Sequence, residues 1–545
     1  MEAATLTARE ILTDSLARHA AGTPAGSVPA EALERAHLRV IDSVGCALAG
    51  HLAPGLPGLV DTAASWGAGP ATVIGTTRTV SVRGAALANA ALTRAFDFEP
   101  VSAEGPGGEE VAAHLSGTSV PVALAEGQRR GATGAQVLEA LALGDDVAAR
   151  LAVGSGFDVY SGQDNTGTVN VVGAAAVAGR LAGLSPEALV AAWGVAVQRA
   201  GGSVAPIFAD APSFRLPMAF AAESAVTAVE LAEAGWAGEP DPLAGRFGFL
   251  DRFCPGANPE LMLAGLGEVY CADRVIKPWS SCRASHPSLE AAARLHGALL
   301  LAAGASTTGG GLDAAVPGTG APVAGGAATA AAAAATVAQA GGAPAPAPTL
   351  GELSAQVARA VVHVTPRTAA GFVGAPWEPG DWPEVAAAFS IPFTTAAALL
   401  TGTLLPRTLL GAAEGAVGAL ARRVELVPSL TPDEYLTAEV ELTLADGRVL
   451  RERVDAPLGD RHHSPLSAAE VHAKFLANAE LGGHSPASAA AALDALLALP
   501  TAASLTDLFA ALAPGRRLTP TYPGPSLRPP VPLGGHHDHA DPQHG

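Results

Sequence analysis

The chain has 545 residues, a formal net charge of -19 and only two lysines. This acidic balance argues against nucleic acid and anionic membranes as partners, because both are bound by clusters of Lys and Arg. The length exceeds what one hydrophobic core usually organises, so we expect about two folding units with additional segments. Hydrophobic residues make up 49% and aromatic residues 4% of the chain, which favours a core of closely packed helices.

The N-terminal residues 1–22 are typical of a capped amphipathic helix rather than a secretory signal. The four cysteines show no CxxC spacing, so we expect a cytoplasmic protein with free thiols. Residues 295–350 are rich in alanine but interrupted by glycine and proline. They are too weakly apolar to predict a membrane span.

Residues 1–272 are predicted to form a large helical domain. Apolar residues recur at helical spacing over residues 33–48. Thr133 and Gln136 have the spacing of a capping box, which predicts a helix start at this point. Residues 173–184 form a helical segment of small residues suited to close packing. We expect this domain to be entirely α-helical.

Residues 273–463 are predicted to form a smaller α+β lid domain. β-Branched residues dominate residues 356–364, apolar and polar residues alternate over 439–444, and Asp446-Gly447 supplies a hairpin turn. Residues 464–512 return to a helical pattern and are expected to pack beside the first domain. The lid would then be an insertion in a mainly α fold.

Two segments have the composition of chains without fixed structure. Residues from about 302 to 349 are rich in alanine and glycine, and residues 513–545 are rich in proline, glycine and histidine. A histidine tail can bind transition metals, but we interpret this one as incidental to function.

The common cofactor and hydrolase motifs are missing from the sequence. It contains no Walker lysine after a glycine loop, no HExxH and no GxSxG. We therefore predict acid–base chemistry by His, Asp and Lys side chains, with no cofactor and no metal.

Three separated clusters carry side chains for such chemistry. Asp97 follows a helix-like segment, and His114 precedes a Ser-Gly-Thr sequence that can begin the next helix. A histidine at such a junction can act on a ligand held by helix N-terminal amides, and residues 166–168 offer a second amide cluster. Lys277 supplies a compact cation that can bind a carboxylate or stabilise the charge left when the adjacent carbon loses a proton.

These clusters, in this order, resemble the MmgE/PrpD family of 2-methylcitrate dehydratase and cis-aconitate decarboxylase. The resemblance covers nearly the whole chain outside the insertion and the tail. The matching motifs are DSVGCALAG (42–50), AALANA (85–90), FDF (96–98), HLSG (114–117), Lys277 with Cys282 and His286-Pro287, FSIPF (389–393), Gly459, PLS (465–467) and Lys474-Phe475.

The resemblance implies a helical domain with an inserted α+β lid, usually in a homodimer, and an active site in the cleft between the two domains. Members of the family eliminate water, release carbon dioxide or epimerise a carbon next to a carboxylate, without an essential metal. Asp97, His114 and Lys277 fall on catalytic positions of the family. The expected substrate-binding residues are Asp164, Thr166, Arg215, Cys282 and His286.

The chain departs from the family at three places in the expected site. Asp164 stands where many relatives have histidine, Val101 stands where they have threonine, and FRLPMA (214–219) replaces a Lys-x-Leu-His-x-Gly run. Arg215 is the nearest substitute for the missing cation. The reduced positive charge favours a substrate less anionic than methylcitrate or cis-aconitate, and suggests a role in specialised metabolism.

Each candidate residue also has a structural interpretation. Asp97 and Asp164 can cap helices, His114 can be a hydrogen-bonded core histidine, and His286 and Cys282 can simply be buried. For the whole protein, we predict a cofactor-independent lyase that acts on a small molecule. The alternatives are an isomerase, epimerase or cyclase acting on a larger natural-product intermediate, and an inactive binding or scaffold homologue.

Overall fold

The computed structural model of the protein describes residues 6–304, 347–412 and 415–513. Most of the predicted insertion at 302–349 and nearly all of the predicted tail at 513–545 lie outside these residues. Within the described ranges, no helix is both long and apolar enough to cross a bilayer.

The first half of the chain is built mainly from α-helices. Its helices are α1 (Ala8–Gly22), α2 (Ala30–Gly50), α3 (Leu56–Ser65), α4 (Val82–Thr93), α5 (Ser116–Arg130), α6 (Gly134–Val153), α7 (Val169–Ala182), α8 (Pro186–Val197), α9 (Ala205–Phe208), α10 (Leu216–Glu233), α11 (Phe249–Phe253) and α12 (Pro259–Leu263). Helix α6 begins with the predicted capping box, in which Thr133 and Gln136 bond to each other's backbone.

Helices α6 and α7 approach closely because two glycines face each other. A Cβ atom on Gly144 would lie 2.7 Å from the carbonyl oxygen of Gly173, and a Cβ on Gly173 would lie 2.8 Å from the carbonyl of Gly144. The two backbones therefore lie nearer to each other than any side chain permits. This contact confirms that the small residues predicted near 173–184 serve close packing.

The expectation that the first domain is entirely helical is wrong. Strands β1 (Ala71–Thr72) and β2 (Thr79–Val80) form one small sheet, and β3 (Val101–Glu104), β4 (Glu110–Val111) and β5 (Asp273–Val275) form another, in the order β4-β3-β5. Strands of two to four residues are too short to show an alternating pattern. The pairing of β5 with β3 joins the first residues of the predicted lid to the first unit.

The second part of the chain combines helices with a four-stranded sheet. Its elements are α13 (His286–Ala302), α14 (Leu350–Ala355), β6 (Val357–Val364), α15 (Pro366–Ala370), α16 (Pro383–Ala388), α17 (Ile391–Thr401), α18 (Pro406–Leu410), α19 (Ala416–Ala421), β7 (Val424–Pro428), β8 (Ala438–Leu444) and β9 (Val449–Val454). The strand order is β7-β6-β8-β9, and alternate residues of β8 are buried. The predicted turn joins β8 to β9, with Gly447 at a φ of 88°.

The chain then returns to the first unit through α20 (Ala468–Leu481), α21 (Pro486–Leu497) and α22 (Thr506–Leu512). Helix α20 packs against α2, where a Cβ on Gly45 would lie 3.2 Å from the Cα of Phe475. A helix near the C-terminal end of the described residues therefore packs against an N-terminal helix.

We expect Gly144→Ala to lower the free energy of unfolding by about 1–3 kcal/mol, because its methyl group meets the backbone of α7. Gly297→Ala is the matched control, since Gly297 lies inside α13 and a Cβ there would meet no atom within 4 Å. The control should be neutral or raise stability by roughly 0.5–1 kcal/mol. Urea unfolding followed by circular dichroism measures both, and equal effects would contradict the packing argument.

Candidate active site

A short irregular segment after α4 carries three charged side chains into the interior. Arg94, Asp97 and Glu99 are each at most 3% exposed. Arg94 Nη1 bonds to the Asp97 carboxylate and lies 2.7 Å from Glu99 Oε1. Asp97 has a φ of 50°, in the left-handed region that non-glycine residues adopt only when their surroundings hold them there.

Side chains from distant parts of the chain hold this segment by its carbonyl oxygens. Arg215 Nε donates to the carbonyl of Ala95 at 3.0 Å, and Ser280 Oγ donates to the carbonyl of Phe96 at 2.8 Å. These carbonyl oxygens accept no hydrogen bond from a helix backbone and are buried away from water. Side-chain donors must therefore bond to them instead.

Lys277 binds both the backbone and the side chain of Asp97. Its Nζ lies 2.8 Å from the Asp97 carbonyl oxygen and 2.9 Å from Asp97 Oδ1. Burial opposes ionisation of Asp97, but Lys277 and then Arg94 hold the pKa of Asp97 below its ordinary value. A compact ammonium suits this fully enclosed position, where one nitrogen donates to two oxygens.

His114 lies just before α5, beside both carboxylates. Its Nδ1 is 2.7 Å from Glu99 Oε1, and its Nε2 is 3.9 Å from Asp97 Oδ1. Because an ionised carboxylate can only accept, the neutral ring carries its proton on Nδ1 and keeps a lone pair on Nε2. Arg94 Nη1 also lies 3.3 Å from Nδ1, but Glu99 Oε1 is the nearer partner of that nitrogen at 2.7 Å.

The electrostatics favour a neutral imidazole next to ionised carboxylates. Burial, and then Arg94, lower the pKa of His114, against the opposing effect of Glu99. Burial would raise the pKa of Glu99, but Arg94 and His114 hold it far below its ordinary value. The lowered pKa therefore favours the neutral form of His114 at neutral pH.

The backbone at His114 is fixed from two sides. The Asp273 carboxylate, on β5, accepts from the amides of Leu115 at 3.1 Å and Ser116 at 2.7 Å. Burial raises the pKa of Asp273 to about 6. Asn170 Nδ2 donates to the carbonyl of His114 at 2.8 Å. The start of α5 thus depends on contacts made by β5 and α7.

Arg94, Asp97 and His114 border a cavity of about 210 Å³ that residues of both units line. Its polar lining includes Arg94, Asp97, His114, Asp164, Asn165 and Thr166. Its apolar lining includes Phe157, Val159, Ile207, Phe372, Phe389 and Leu436. The cavity lining therefore combines a group of polar side chains with a larger apolar surface.

Three predicted substrate-binding residues line this cavity. They are Asp164, Thr166 and Cys282. Asp164 also caps a short 3-10 helix, because its Oδ1 accepts from the amide of Thr166 at 2.9 Å. Burial raises the pKa of Cys282 to about 11, so this side chain is a neutral thiol.

Substrate contact is not shown for Arg215 and His286. Neither belongs to the cavity lining. The Arg215 head lies 3.7 Å from Glu384 in α16, and burial lowers the pKa of Arg215 to about 10. His286 is fully buried with its ring 5.5 Å from that of Trp279, and burial lowers its pKa well below the ordinary value. Both residues hold the structure behind the cavity.

Sequence reasoning missed Arg94 and Glu99 as members of the site. The signal available was the density of charge around Asp97, in a stretch whose neighbours are alanine and phenylalanine. Charges in such an apolar setting are rarely buried unless they pair with one another. Tyr435, from the loop before β8, also lines the cavity and carried no recognisable motif.

Asp97, Glu99 and His114 also offer potential metal ligands within 4.8 Å of one another. However, Arg94 bonds to both carboxylates, so a guanidinium already occupies the side of the cluster that a cation would need. The donor set as it stands therefore fits an internal ion-pair network better than a metal ion.

The fold and the site together define a mainly helical protein with a histidine–carboxylate pocket between a helical unit and an α+β unit. Residues 14–262 match the MmgE/PrpD N-terminal domain, and residues 322–499 match the MmgE/PrpD C-terminal domain. The chain belongs to the MmgE/PrpD family.

Two curated relatives are fungal proteins. The chain is 26% identical over 306 residues to a cis-aconitate decarboxylase of Aspergillus terreus, covering 53% of this chain and 61% of the relative. It is 27% identical over 288 residues to a cis-aconitate decarboxylase-like protein of Aspergillus oryzae, covering 49% of this chain and 58% of the relative. The matched regions thus span about six tenths of each relative.

We expect Glu99→Gln to lower the pKa of His114 further, because Glu99 is the main group that raises it. The change is measured by titrating the His114 ring in ¹³C-histidine NMR, with the signal assigned from its loss in His114→Asn. Glu126→Gln is the control, since Glu126 is a buried carboxylate of α5 that pairs with Arg130. An unchanged or raised pKa in Glu99→Gln would contradict the bond between Glu99 and His114.

Proposed function

We propose that the protein is a cofactor-independent lyase of the decarboxylase or dehydratase type. In this proposal, His114 transfers a proton at a carbon next to a carboxylate or carbonyl group. The main observation behind this proposal is the position of the His114 ring, which lines the cavity. Its Nδ1 is bound to Glu99, so its Nε2 has a free lone pair. The names of the matched decarboxylases support the same class of reaction.

In a dehydration, His114 Nε2 would take a proton from the α-carbon, and the hydroxyl group on the next carbon would then leave as water with that proton while the C=C bond forms. In a decarboxylation, carbon dioxide would leave its bonding electron pair on the carbon, and a ring protonated from solvent would return one proton to it. The electron pair left on the carbon is delocalised into the neighbouring carboxylate or carbonyl. Arg94 and Lys277 supply the positive charge near this position, with Lys277 acting through Asp97. Glu99 keeps the ring oriented throughout.

The charge of the cluster limits what it can bind. Arg94 and Lys277 contribute two positive charges. Asp97 and Glu99 contribute two negative charges, so the cluster is neutral while His114 is neutral. Proton uptake by His114 then gives one positive charge. This balance supports a substrate with about one carboxylate in the reacting region rather than three.

The other charged groups of the lining are Glu110, Asp164 and Arg283, and together they add no net positive charge. Arg283 donates to the carbonyls of Pro457 and Leu458 and lies 3.8 Å from the Asp460 carboxylate. Asp164 adds a carboxylate without a cation of its own among its hydrogen-bond partners. We therefore propose a substrate less anionic than cis-aconitate or methylcitrate.

The apolar walls indicate what the rest of the substrate is. Phe372 and Phe389 stack edge to face at 6.0 Å, and Phe208 stacks on Phe372 at 5.3 Å. We propose that this wall contacts an apolar part of the substrate and that the α+β unit, which supplies Phe372 and Phe389, acts as an inserted lid. Such a substrate fits specialised metabolism.

We also propose that the protein is a homodimer, as the family resemblance implies, and that it acts in the cytoplasm, as its cysteine pattern suggests. Its proposed partner is a small-molecule substrate, with no nucleic acid or membrane. Its acidic charge of -19 agrees with the lack of a nucleic-acid partner.

Exchange of the α-proton in deuterated water tests the proposed chemistry. Incubation with a panel of monocarboxylic and tricarboxylic acids should show deuterium uptake for acids with one carboxylate and an apolar substituent, and little for cis-aconitate. His114→Asn should reduce the exchange rate by roughly 10²- to 10⁴-fold. Mass spectrometry of the recovered acids measures the uptake.

His296→Asn is the matched control, because His296 lies in α13 and bonds to the carbonyl of Leu399 at 2.8 Å. Its exchange rate should equal that of the unmodified protein. Full activity of His114→Asn would refute the role of His114. Faster exchange of cis-aconitate than of every monocarboxylic acid would refute the proposed substrate class.

The pH dependence of exchange follows from the lowered pKa of His114. Only the neutral ring can accept a proton, and burial and Arg94 keep it neutral below its ordinary pKa of 6.5. We therefore expect kcat/KM for exchange to stay level as the pH falls through 6.5 and to decline only at lower pH, with one proton taken up. A decline that begins above pH 6.5 would contradict this environment.

A further inference from the structure

Lys474, in α20, binds the residue that separates the two carboxylates of the site. Its Nζ donates to the carbonyl oxygen of Phe98 at 2.7 Å and lies 3.8 Å from the centre of the Phe98 ring. Phe98 is 1% exposed and stands between Asp97 and Glu99. Lys474 therefore holds both the backbone and the side chain of this residue.

Lys474 is itself held by a carboxylate from the other end of the chain. Its Nζ lies 2.7 Å from Oδ1 of Asp42, in α2. Burial raises the pKa of Asp42, and Lys474 opposes that effect. The two charges cancel locally, so the field that Lys474 alone would exert on the site is largely neutralised.

Neither Lys474 nor Asp42 lines the cavity, so neither is placed to touch a substrate. Their contact with the site passes through the backbone of Phe98. A shift of that carbonyl would move Asp97 on one side and Glu99 on the other. Because His114 contacts both carboxylates, its ring orientation depends on their separation.

We propose that Lys474 and Asp42 are positioning residues that set the spacing of the Asp97 and Glu99 carboxylates around His114. The catalytic consequence rests on the proposed function, whereas the structural consequence does not. The family resemblance included Lys474-Phe475 without a role, and this contact supplies one.

The test compares Lys474→Met with the double variant Lys474→Met/Asp42→Asn. The single variant leaves a buried carboxylate without its cation, which is expected to reduce stability. The double variant removes both charges at similar side-chain volume, so its thermal midpoint should lie closer to that of the unmodified protein. Both variants lose the donor to Phe98.

The first measurement is the NMR titration of the His114 ring, which needs no substrate. If Lys474 positions the carboxylates, the chemical shift and titration midpoint of His114 should be displaced in the double variant. The second measurement is α-proton exchange, for which kcat should fall by roughly 10- to 100-fold with little change in KM.

Arg180→Met is the matched control. Arg180 is a mostly buried cation at the end of α7 that lies 3.4 Å from the Glu139 carboxylate and donates to the carbonyl of Ala21 at 3.0 Å. Its loss should leave the His114 titration unchanged. A double variant with restored stability and an unchanged His114 titration would overturn the proposal.

The NMR titration and the exchange assay together distinguish a failure of this proposal from a failure of the proposed function. If no acid in the panel exchanges while the His114 titration is displaced, the positioning role stands and the proposed reaction fails. If exchange is present in the unmodified protein and equal in the double variant, the positioning role fails and the reaction stands.

Discussion

The site depends on the capture of four consecutive carbonyl oxygens, those of residues 95–98. Each accepts a hydrogen bond from a side chain between 120 and 376 residues away in sequence. A helix would satisfy such carbonyls internally, but Asp97 lies in the left-handed region and breaks that pattern. Buried carbonyls without partners are costly, so these donors are a condition for the turn that carries the Asp97 carboxylate.

The donors come from three parts of the chain, so the site can form only when these parts have packed together. Arg215 lies at the start of α10, Ser280 and Lys277 lie between β5 and α13, and Lys474 lies on α20. The return of the chain to the helical unit therefore affects the histidine–carboxylate cluster directly. Helix α20 places the ammonium group of Lys474 against the Phe98 ring. The N-terminal half of the chain supplies no lysine for this position.

The sequence predicted much of the fold and the centre of the site, for identifiable reasons. Asp97, His114 and Lys277 lie in motifs with a recognisable order, and the structure brings their side chains together around Asp97 Oδ1. Arg94 was overlooked because a single arginine after an alanine-rich helix has no motif. The role expected for Arg215 rested on its neighbourhood in sequence, whereas its direction is set by Ala95 and Glu384, which no local pattern reveals.

One set of residues holds the histidine–carboxylate cluster in place, and a different set shapes the cavity. The shape of the cavity can therefore change without a change in the cluster. Lys277, Ser280 and Arg215 act behind the lining, whereas Phe372 and Phe389 face the cavity from the α+β unit. A substitution in the aromatic wall alters the space offered to a substrate without removing a donor to residues 95–98. The geometry of the histidine–carboxylate cluster is therefore independent of the aromatic wall, because the contacts that fix it lie behind the cavity lining.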